Sequence, residues 1–343
     1  MNNKEKTLPI ASSKNTTFYI TSMRVNMEAT INNYIEQMKI LINYLGEKNV
    51  IVSIVENGDS TDKTRDYLIQ LQNYLNKKKV INKFILKHEI DDPRKKVKPY
   101  ISLSNLRIKY YSELRNKCLE LLYELPNINF DNTKIIFFND IFYEYEDIIN
   151  LLSTNNEDYD AVCGLDFGDI FYDTWVSIDL DGNSLLTGFP FFINKEAQDL
   201  VINHKPIRVF SCWNGVIVFN ASPLKDKKIE FRYSKNPDKE RKYMINNSQV
   251  FNYESECTYF HIDLFSLGYT KKFINPEVRV AYSSGYYYTK KFHYPSSIEI
   301  NSYIDLYSKS FSEKRNKLMS NYKDNNIKLN SMLENWYLEN KRN

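Results

Sequence analysis

Three polar clusters stand at the ends of apolar runs, and their residue types fit the handling of a phosphorylated sugar. The run Lys134-Ile135-Ile136-Phe137-Phe138 stops at Asn139-Asp140. Large apolar residues without alternation read as a strand buried on both faces of a parallel sheet. The carboxyl end of such a strand opens into the ligand crevice of an α/β fold. A carboxylate there can hold a hard divalent cation and, through it, a phosphate; Asp140 capping a turn is the structural alternative. The second cluster is Glu56-Asn57-Gly58-Asp59-Ser60-Thr61-Asp62. Its carboxylates can accept from ribose hydroxyls or base NH groups, and the helix that follows can face a phosphate. A capped turn that binds nothing explains the same residues. The third is Ser255-Glu256-Cys257-Thr258-Tyr259-Phe260-His261-Ile262-Asp263. On a helix Glu256, Phe260 and Asp263 share one face, Cys257 and His261 another. Glu256 could touch a sugar acceptor or orient a reacting group, and His261 reads also as a satisfied core residue.

Asp166 and Asp173 flank a segment rich in aromatic residues. They could bond sugar hydroxyls while Phe171, Tyr172 and Trp175 stack on sugar faces, or the segment could be a loop packed by its own rings. Arg115, on the helix ahead of the Asn139-Asp140 strand, could reach a diphosphate as a fixed fork or pair on the surface with Glu113 or Glu120.

These groups need a scaffold. Apolar runs predict strands over 17–21, 49–55, 80–87, 134–139, 159–165 and 277–282, with a further buried strand region over 209–219. Helical spacing predicts helices over 31–45, 61–75, 107–125, 146–152 and 255–267. Alternation of the two predicts an α/β fold: a mostly parallel, Rossmann-like sheet flanked by crossover helices. The stretch 167–190 reads as loops and short strands over a site. Three regions are expected: a flexible N-terminus over 1–14, a catalytic domain over 15–295 and a C-terminal helical extension over 296–343.

The chain has 343 residues, enough for one large domain or two small ones. A net charge of +3 is too small to argue for nucleic acid, and no nucleic-acid partner is expected. The basic runs at 77–79 and 94–98 read as solvated surface. No apolar run reaches the ~18 residues of a membrane span, and there is no signal-peptide core. The expectation is a cytoplasmic protein as the sequence stands, or a Golgi-lumenal one if an N-terminal anchor lies outside it. The four cysteines, Cys118, Cys163, Cys212 and Cys257, form no C-x-x-C pair. They read as buried free thiols rather than a disulfide framework or a zinc site.

Together the clusters resemble the GT-A glycosyltransferases. Val55-Glu56-Asn57-Gly58 with Asp62 and Thr64 resembles the nucleotide-binding turn. Leu114-Arg115-Asn116-Lys117 resembles the Arg-Asn helix ahead of the metal strand. Phe138-Asn139-Asp140 resembles the Asp-x-Asp metal motif with its first Asp replaced. Trp213-Asn214-Gly215 sits where the glycine loop would be, and Ser255-Glu256-Cys257 where the acidic acceptor-side motif would be. More narrowly, the order of these segments resembles the fungal capsule-associated α-1,3-mannosyltransferases, glycosyltransferase family 69.

The resemblance implies a GT-A fold and a metal-dependent transfer of mannose from GDP-mannose to the 3-hydroxyl of a mannose or glycan acceptor, with retention. It implies Mn²⁺ or Mg²⁺ on Asp140. It places Glu56, Asp62, Arg115, Asn139, Trp213, Asn214 and Gly215 around the nucleotide-sugar. Asp166, Asp173 and Glu256 would lie near the transferred sugar or the acceptor. The last strand carries Val278-Arg279-Val280-Ala281-Tyr282 where many such enzymes supply a metal-binding His, so either the metal has fewer protein ligands or His261 or His293 substitutes. In a retaining transfer the acceptor hydroxyl approaches on the leaving-group face, and the departing phosphate oxygen can take its proton. The alternatives are a transferase using UDP-xylose or UDP-galactose, a sugar nucleotidyltransferase, and a non-catalytic carbohydrate-binding protein on a transferase scaffold.

Overall fold

The computed structural model describes residues 16–58, 60–88, 105–233 and 255–292. The expected segments 1–14 and 296–343, the basic run 94–98, Asp59 and His293 lie outside the described residues. Eight strands form one sheet: β1 (Thr17–Arg24), β2 (Val50–Asn57), β3 (Ile81–His88), β4 (Thr133–Phe138), β5 (Ala161–Phe167), β6 (Ile207–Arg208), β7 (Val216–Asn220) and β8 (Lys272–Ala281). Their order is β3-β2-β1-β4-β7-β5-β8-β6. The helices are α1 (Glu28–Leu45), α2 (Thr64–Lys77), α3 (Asn105–Glu124), α4 (Tyr145–Leu152), α5 (Lys195–Ile202), α6 (Glu256–Ser266) and α7 (Ser284–Phe292).

The apolar runs do what both-face burial requires. Alternate residues enter opposite cores: Tyr19, Ile51, Ile135 and Phe137 join Leu114, Cys118 and Leu122 of α3. Ile20, Val52, Ile136 and Phe138 join Ile31, Met38 and Leu41 of α1 and Leu68 and Leu71 of α2. Period-two side chains between two helical layers leave no wet face, which is why these strands carry no polar alternation.

β1 pairs in parallel with β2 on one side and β4 on the other, Arg24 opposite Glu56 and Ser22 opposite Phe138. The chain winds outward from β1 to β3 and then returns to β4. The order therefore reverses at β1/β4, where an open α/β sheet forms its crevice. β7 runs antiparallel between β4 and β5. This reversal brings the residues preceding β7, Trp213 to Gly215, to the same edge as the carboxyl ends of the parallel strands.

Several boundaries differ from the sequence expectation for identifiable reasons. α1 begins at Glu28, three residues early, because the Glu28 amide donates to Asp62 Oδ2 at 2.9 Å, a cap from a distant segment. α2 begins at Thr64, whose amide donates to Asp62 Oδ1 at 2.9 Å. Of the expected strand region 209–219 only the second half is strand: β7 begins at Val216, after the Cys212-Trp213-Asn214-Gly215 turn, and β6 ends at Arg208, before the region starts. Beyond Phe167, which closes β5, the stretch 167–190 contains no strand, only isolated bridges such as Phe167 to Phe171 and Ile178 to Ser184.

The cysteine reading is corrected in part. Cys163 on β5 and Cys212 are joined in a disulfide across 49 residues, their Cα atoms 6.2 Å apart. The pairing is made by the sheet and leaves no local spacing to read. Cys118 and Cys257 are free and buried, as expected. Among the described residues no helix is long and apolar enough to cross a membrane.

Candidate active site

The carboxyl edge of the sheet holds a cavity of about 630 Å³. Each wall comes from the end of an element: Arg24 from β1, Asn57 from β2, Asn139 and Asp140 from β4, Tyr282 from β8. Helix α3 contributes Arg107 and Arg115, α6 contributes Glu256, and the loop after β5 contributes Tyr172, Asp173 and Trp175.

Arg115 and Glu256 meet here although 141 residues separate them; Arg115 Nε donates to Glu256 Oε1 at 2.9 Å. Neither surface glutamate considered from the sequence is the partner. Both side chains are buried, and the guanidinium carbon lies 4.2 Å from the Trp213 ring centroid, a cation–π contact. Arg115 Nη1 is buried with no hydrogen-bond partner among the described residues. Glu256 enters α6 just after Ser255, whose hydroxyl accepts from the amides of Cys257 and Thr258 and caps the helix.

Asp166 and Asp173 form a second pair. The Asp173 amide donates to Asp166 Oδ1 at 3.1 Å, and the Tyr282 hydroxyl donates to Asp166 Oδ2 at 2.7 Å. Asp173 accepts from the amides of Val176 and Asn214 at 3.2 and 3.3 Å. Burial, then the neighbouring Asp173 charge, pushes the Asp166 carboxyl up to about 8. Burial likewise raises Asp173, to about 6, although its two amide partners oppose the shift. Asp173 faces the cavity; Asp166 stands behind it. Of the three aromatic residues expected to stack on sugar, Tyr172 and Trp175 line the cavity, whereas Phe171 is a core residue, 1% exposed.

At the end of β4 the two neighbours divide their work. The Asn139 side chain accepts from Trp213 Nε1 at 3.1 Å, its amide donates to the Gly215 carbonyl at 2.7 Å, and its own carbonyl accepts from Arg24. Asp140 is exposed, lines the cavity and makes no hydrogen bond or ion pair among the described residues.

Four residues expected around the nucleotide do not line the cavity. Glu56 is fully buried: Arg65 holds it through Nε at 2.8 Å and Nη2 at 2.9 Å, and the Lys87 and Ser60 amides donate to it. Burial alone would raise its carboxyl, but the Arg65 fork and the two amides hold it below the usual range. Asp62 spends both oxygens capping α1 and α2. Asn214 is buried, bridging Ser177 and the Gly164 carbonyl. Gly215 has φ +74°, and a Cβ there would lie 2.7 Å from Ile141 Cγ2. These last two shape the turn that presents Trp213. Asn57, beside Glu56, is the β2 residue that reaches the cavity, fixed by a hydrogen bond from the Tyr110 hydroxyl.

His261 is likewise a core residue and not a partner of Asp140. It is completely buried; its Nε2 donates to the Cys212 carbonyl at 2.7 Å, and burial drives its basicity well down. Sequence reasoning missed Arg24 and Tyr282. The available signal was the one used for Asp140: a polar residue closing an apolar strand.

A model of the family described as cryptococcal mannosyltransferase 1 matches residues 17–263, from β1 into α6. The chain belongs to this mannosyltransferase family. It is 24% identical over 302 residues to the α-1,3-mannosyltransferase CMT1 of Cryptococcus neoformans, covering 81% of this chain and 60% of that relative. The chain thus spans about 60% of the length of the curated relative it matches. Solved structures similar to it include Staphylococcus aureus TarS with UDP-GlcNAc: 13% identity, 84% of this chain and 65% of that one, TM-score 0.42. Another is the mannosyltransferase PcManGT of Pyrobaculum calidifontis with GDP-Man and Mn²⁺: 11% identity, 79% and 57%, TM-score 0.37. The α/β class read from the sequence, a mostly parallel sheet flanked by helices, is the one this family member adopts.

For a metal, this family member offers little of its own. Among the described residues no group of three or more His, Cys, Asp or Glu could cage an ion. Asp140 nevertheless presents an uncommitted carboxylate to the cavity. Hard divalent cations are commonly held by one or two carboxylates plus substrate phosphates, so the donor set fits an ion shared with a ligand rather than a resident one.

Proposed function

We propose that the chain is a retaining, metal-dependent α-1,3-mannosyltransferase that takes mannose from GDP-mannose and gives it to the 3-hydroxyl of a mannose or glycan acceptor. The observation that carries this reading is the convergence of Asp140, the Arg115–Glu256 pair and Asp173 on one cavity, in a member of a mannosyltransferase family. The cavity falls within the ~300–1,000 Å³ of small-molecule sites.

The donor diphosphate would sit between Asp140 and Arg115, with Trp213 fixing the guanidinium plane. Mn²⁺ or Mg²⁺ held by Asp140 would supply Lewis-acid stabilisation of the departing diphosphate. Asp173, held in place by the Val176 and Asn214 amides, would accept from a hydroxyl of the transferred sugar or the acceptor. Glu256 would orient the acceptor while neutralising Arg115. Tyr172 and Trp175 offer ring faces to the sugar. In the step itself the bond from sugar C1 to the phosphate oxygen breaks, a bond from C1 to the acceptor oxygen forms, and the hydroxyl proton passes to the departing phosphate. No protein base is required for that balance. The Cys163–Cys212 bond favours the Golgi-lumen alternative, since disulfides are rare in the cytosol.

The test is thermal stabilisation of the protein by GDP-, UDP- and CMP-sugars, with and without Mn²⁺, followed by transfer to α-mannosides. A native-state ligand raises the apparent melting temperature by mass action. A Mn²⁺-dependent shift with GDP-mannose is expected. A shift with a UDP-sugar alone would change the donor, and none with any would remove the transferase reading.

A further inference from the structure

Arg24 closes β1 and lines the cavity, yet it is only 1% exposed. Its Nη1 donates to the Asn139 carbonyl at 2.9 Å, and its guanidinium carbon sits 3.7 Å from the Tyr34 ring centroid. Tyr34 is itself packed edge-on against Phe138 and Tyr143, so the platform under the guanidinium is fixed. Nε and Nη2 are buried with no hydrogen-bond partner among the described residues.

Among the described residues Arg24 has no ion pair. Its register neighbour in the sheet is Glu56, but that carboxylate is spent on Arg65 and on the Lys87 and Ser60 amides. Glu256 holds Arg115, Asp173 holds two amides, and Asp140 makes no ion pair with Arg24. A buried, permanently charged group with unmet donors is costly unless something neutralises it. Arginine cannot escape by losing its proton. Its place at the β1/β4 reversal, one strand from Asp140, puts that unmet charge where the crevice opens.

We infer that Arg24 is an anion receptor of the cavity alongside Arg115, and that its free N–H groups bind phosphate oxygens of a diphosphate without needing a metal. The identification of that diphosphate as part of a nucleotide-sugar rests on the function proposed above. A planar fork suits phosphate geometry, and the aromatic platform orients it in advance.

The experiment is calorimetric titration of the whole protein with inorganic pyrophosphate in the presence of a chelator. The wild type is expected to bind, and Arg24→Gln to raise Kd about tenfold or more. Arg24→Lys keeps charge but loses the fork, so an intermediate Kd is expected. Without ligand, Arg24→Gln should melt at or above the wild type, because an uncompensated buried charge has been removed. Equal pyrophosphate affinity in wild type and Arg24→Gln would overturn the inference, as would no binding by wild type in chelator. If Arg24→Gln fails to melt cooperatively, wild-type affinity in Arg24→Lys overturns it instead. Displacement of pyrophosphate by GDP-mannose or UDP-sugars separates the two readings. Arg24-dependent pyrophosphate binding that no nucleotide-sugar displaces would retain the anion receptor and remove the nucleotide-sugar. Nucleotide-sugar binding unchanged in Arg24→Gln would do the reverse.

Discussion

Arg115 on α3 and Glu256 at the start of α6 form a buried ion pair, 2.9 Å from nitrogen to oxygen, that ties two helices together at the rim of the cavity. Removing one partner of such a pair leaves the other charged and dry. Glu256→Ala is expected to cost about 3–5 kcal/mol of stability and to abolish transfer. Urea unfolding of both single variants and the double variant checks this. A double-mutant coupling near zero would mean that the two side chains are not coupled in solution.

Glu56 belongs to the scaffold. Glu56→Ala would strand the Arg65 guanidinium and two backbone amides, at a cost of about 3 kcal/mol. Nucleotide-sugar affinity measured on the folded fraction should stay within about twofold of wild type, well below the tenfold that 1.4 kcal/mol represents. A large loss of affinity with unchanged stability would return Glu56 to the nucleotide pocket.

The contrast between Glu56 and Asp140 shows what the sequence made legible. Both carboxylates stand at ends of buried strands, as the apolar runs before them predict. The both-face burial of β2 and β4, the α3 apolar face and the α/β class were also readable, because period and run length report burial directly. Which carboxylate faces the cavity was not readable. That depends on Arg65, nine residues on, and on Lys87 from another strand claiming Glu56, while nothing among the described residues claims Asp140. The Cys163–Cys212 bond, the Asp62 cap on α1 and the His261–Cys212 contact are tertiary in the same way.

Asp140 should therefore separate function from folding. Because Asp140 is exposed and makes no hydrogen bond or ion pair among the described residues, Asp140→Ala should change stability by no more than about 0.5 kcal/mol. The same change should erase the Mn²⁺-dependent part of the thermal shift given by the nucleotide-sugar. A Mn²⁺-dependent shift of wild-type size would take Asp140 out of the metal site.

Gly215 occupies a left-handed conformation, φ +74°, with Ile141, Val280 and Asp166 around the place a Cβ would take. A Cβ would meet Val280 Cγ2 at 3.0 Å and Asp166 Cβ at 3.2 Å as well as Ile141. Strain and overpacking together put Gly215→Ala at about 2–4 kcal/mol destabilised. Because the Gly215 carbonyl accepts from the Asn139 amide, transfer activity per folded molecule should fall too. A variant that melts like wild type would show that the turn relaxes freely.

The Asp166–Asp173 pair makes a prediction in pH. Both carboxyls are raised in the folded protein, Asp166 to about 8 and Asp173 to about 6, from an unfolded value of about 4. Above pH 4 the native state therefore holds protons that the unfolded state has released. Stability falls with rising pH wherever the native state binds more protons. The pair's stabilising contribution is then complete below about pH 4, declines as pH rises through the folded values, and is gone above about pH 8. Asp166→Asn fixes the neutral form: the carboxamide would keep an acceptor, toward the Tyr282 hydroxyl or the Asp173 amide, and has no proton to lose. The substitution should cost most at pH 5 and least at pH 8.5, the difference being on the order of 1 kcal/mol or more. Urea midpoints of wild type and variant across that range give the answer directly. Parallel curves would mean that Asp166 is already ionised at pH 5.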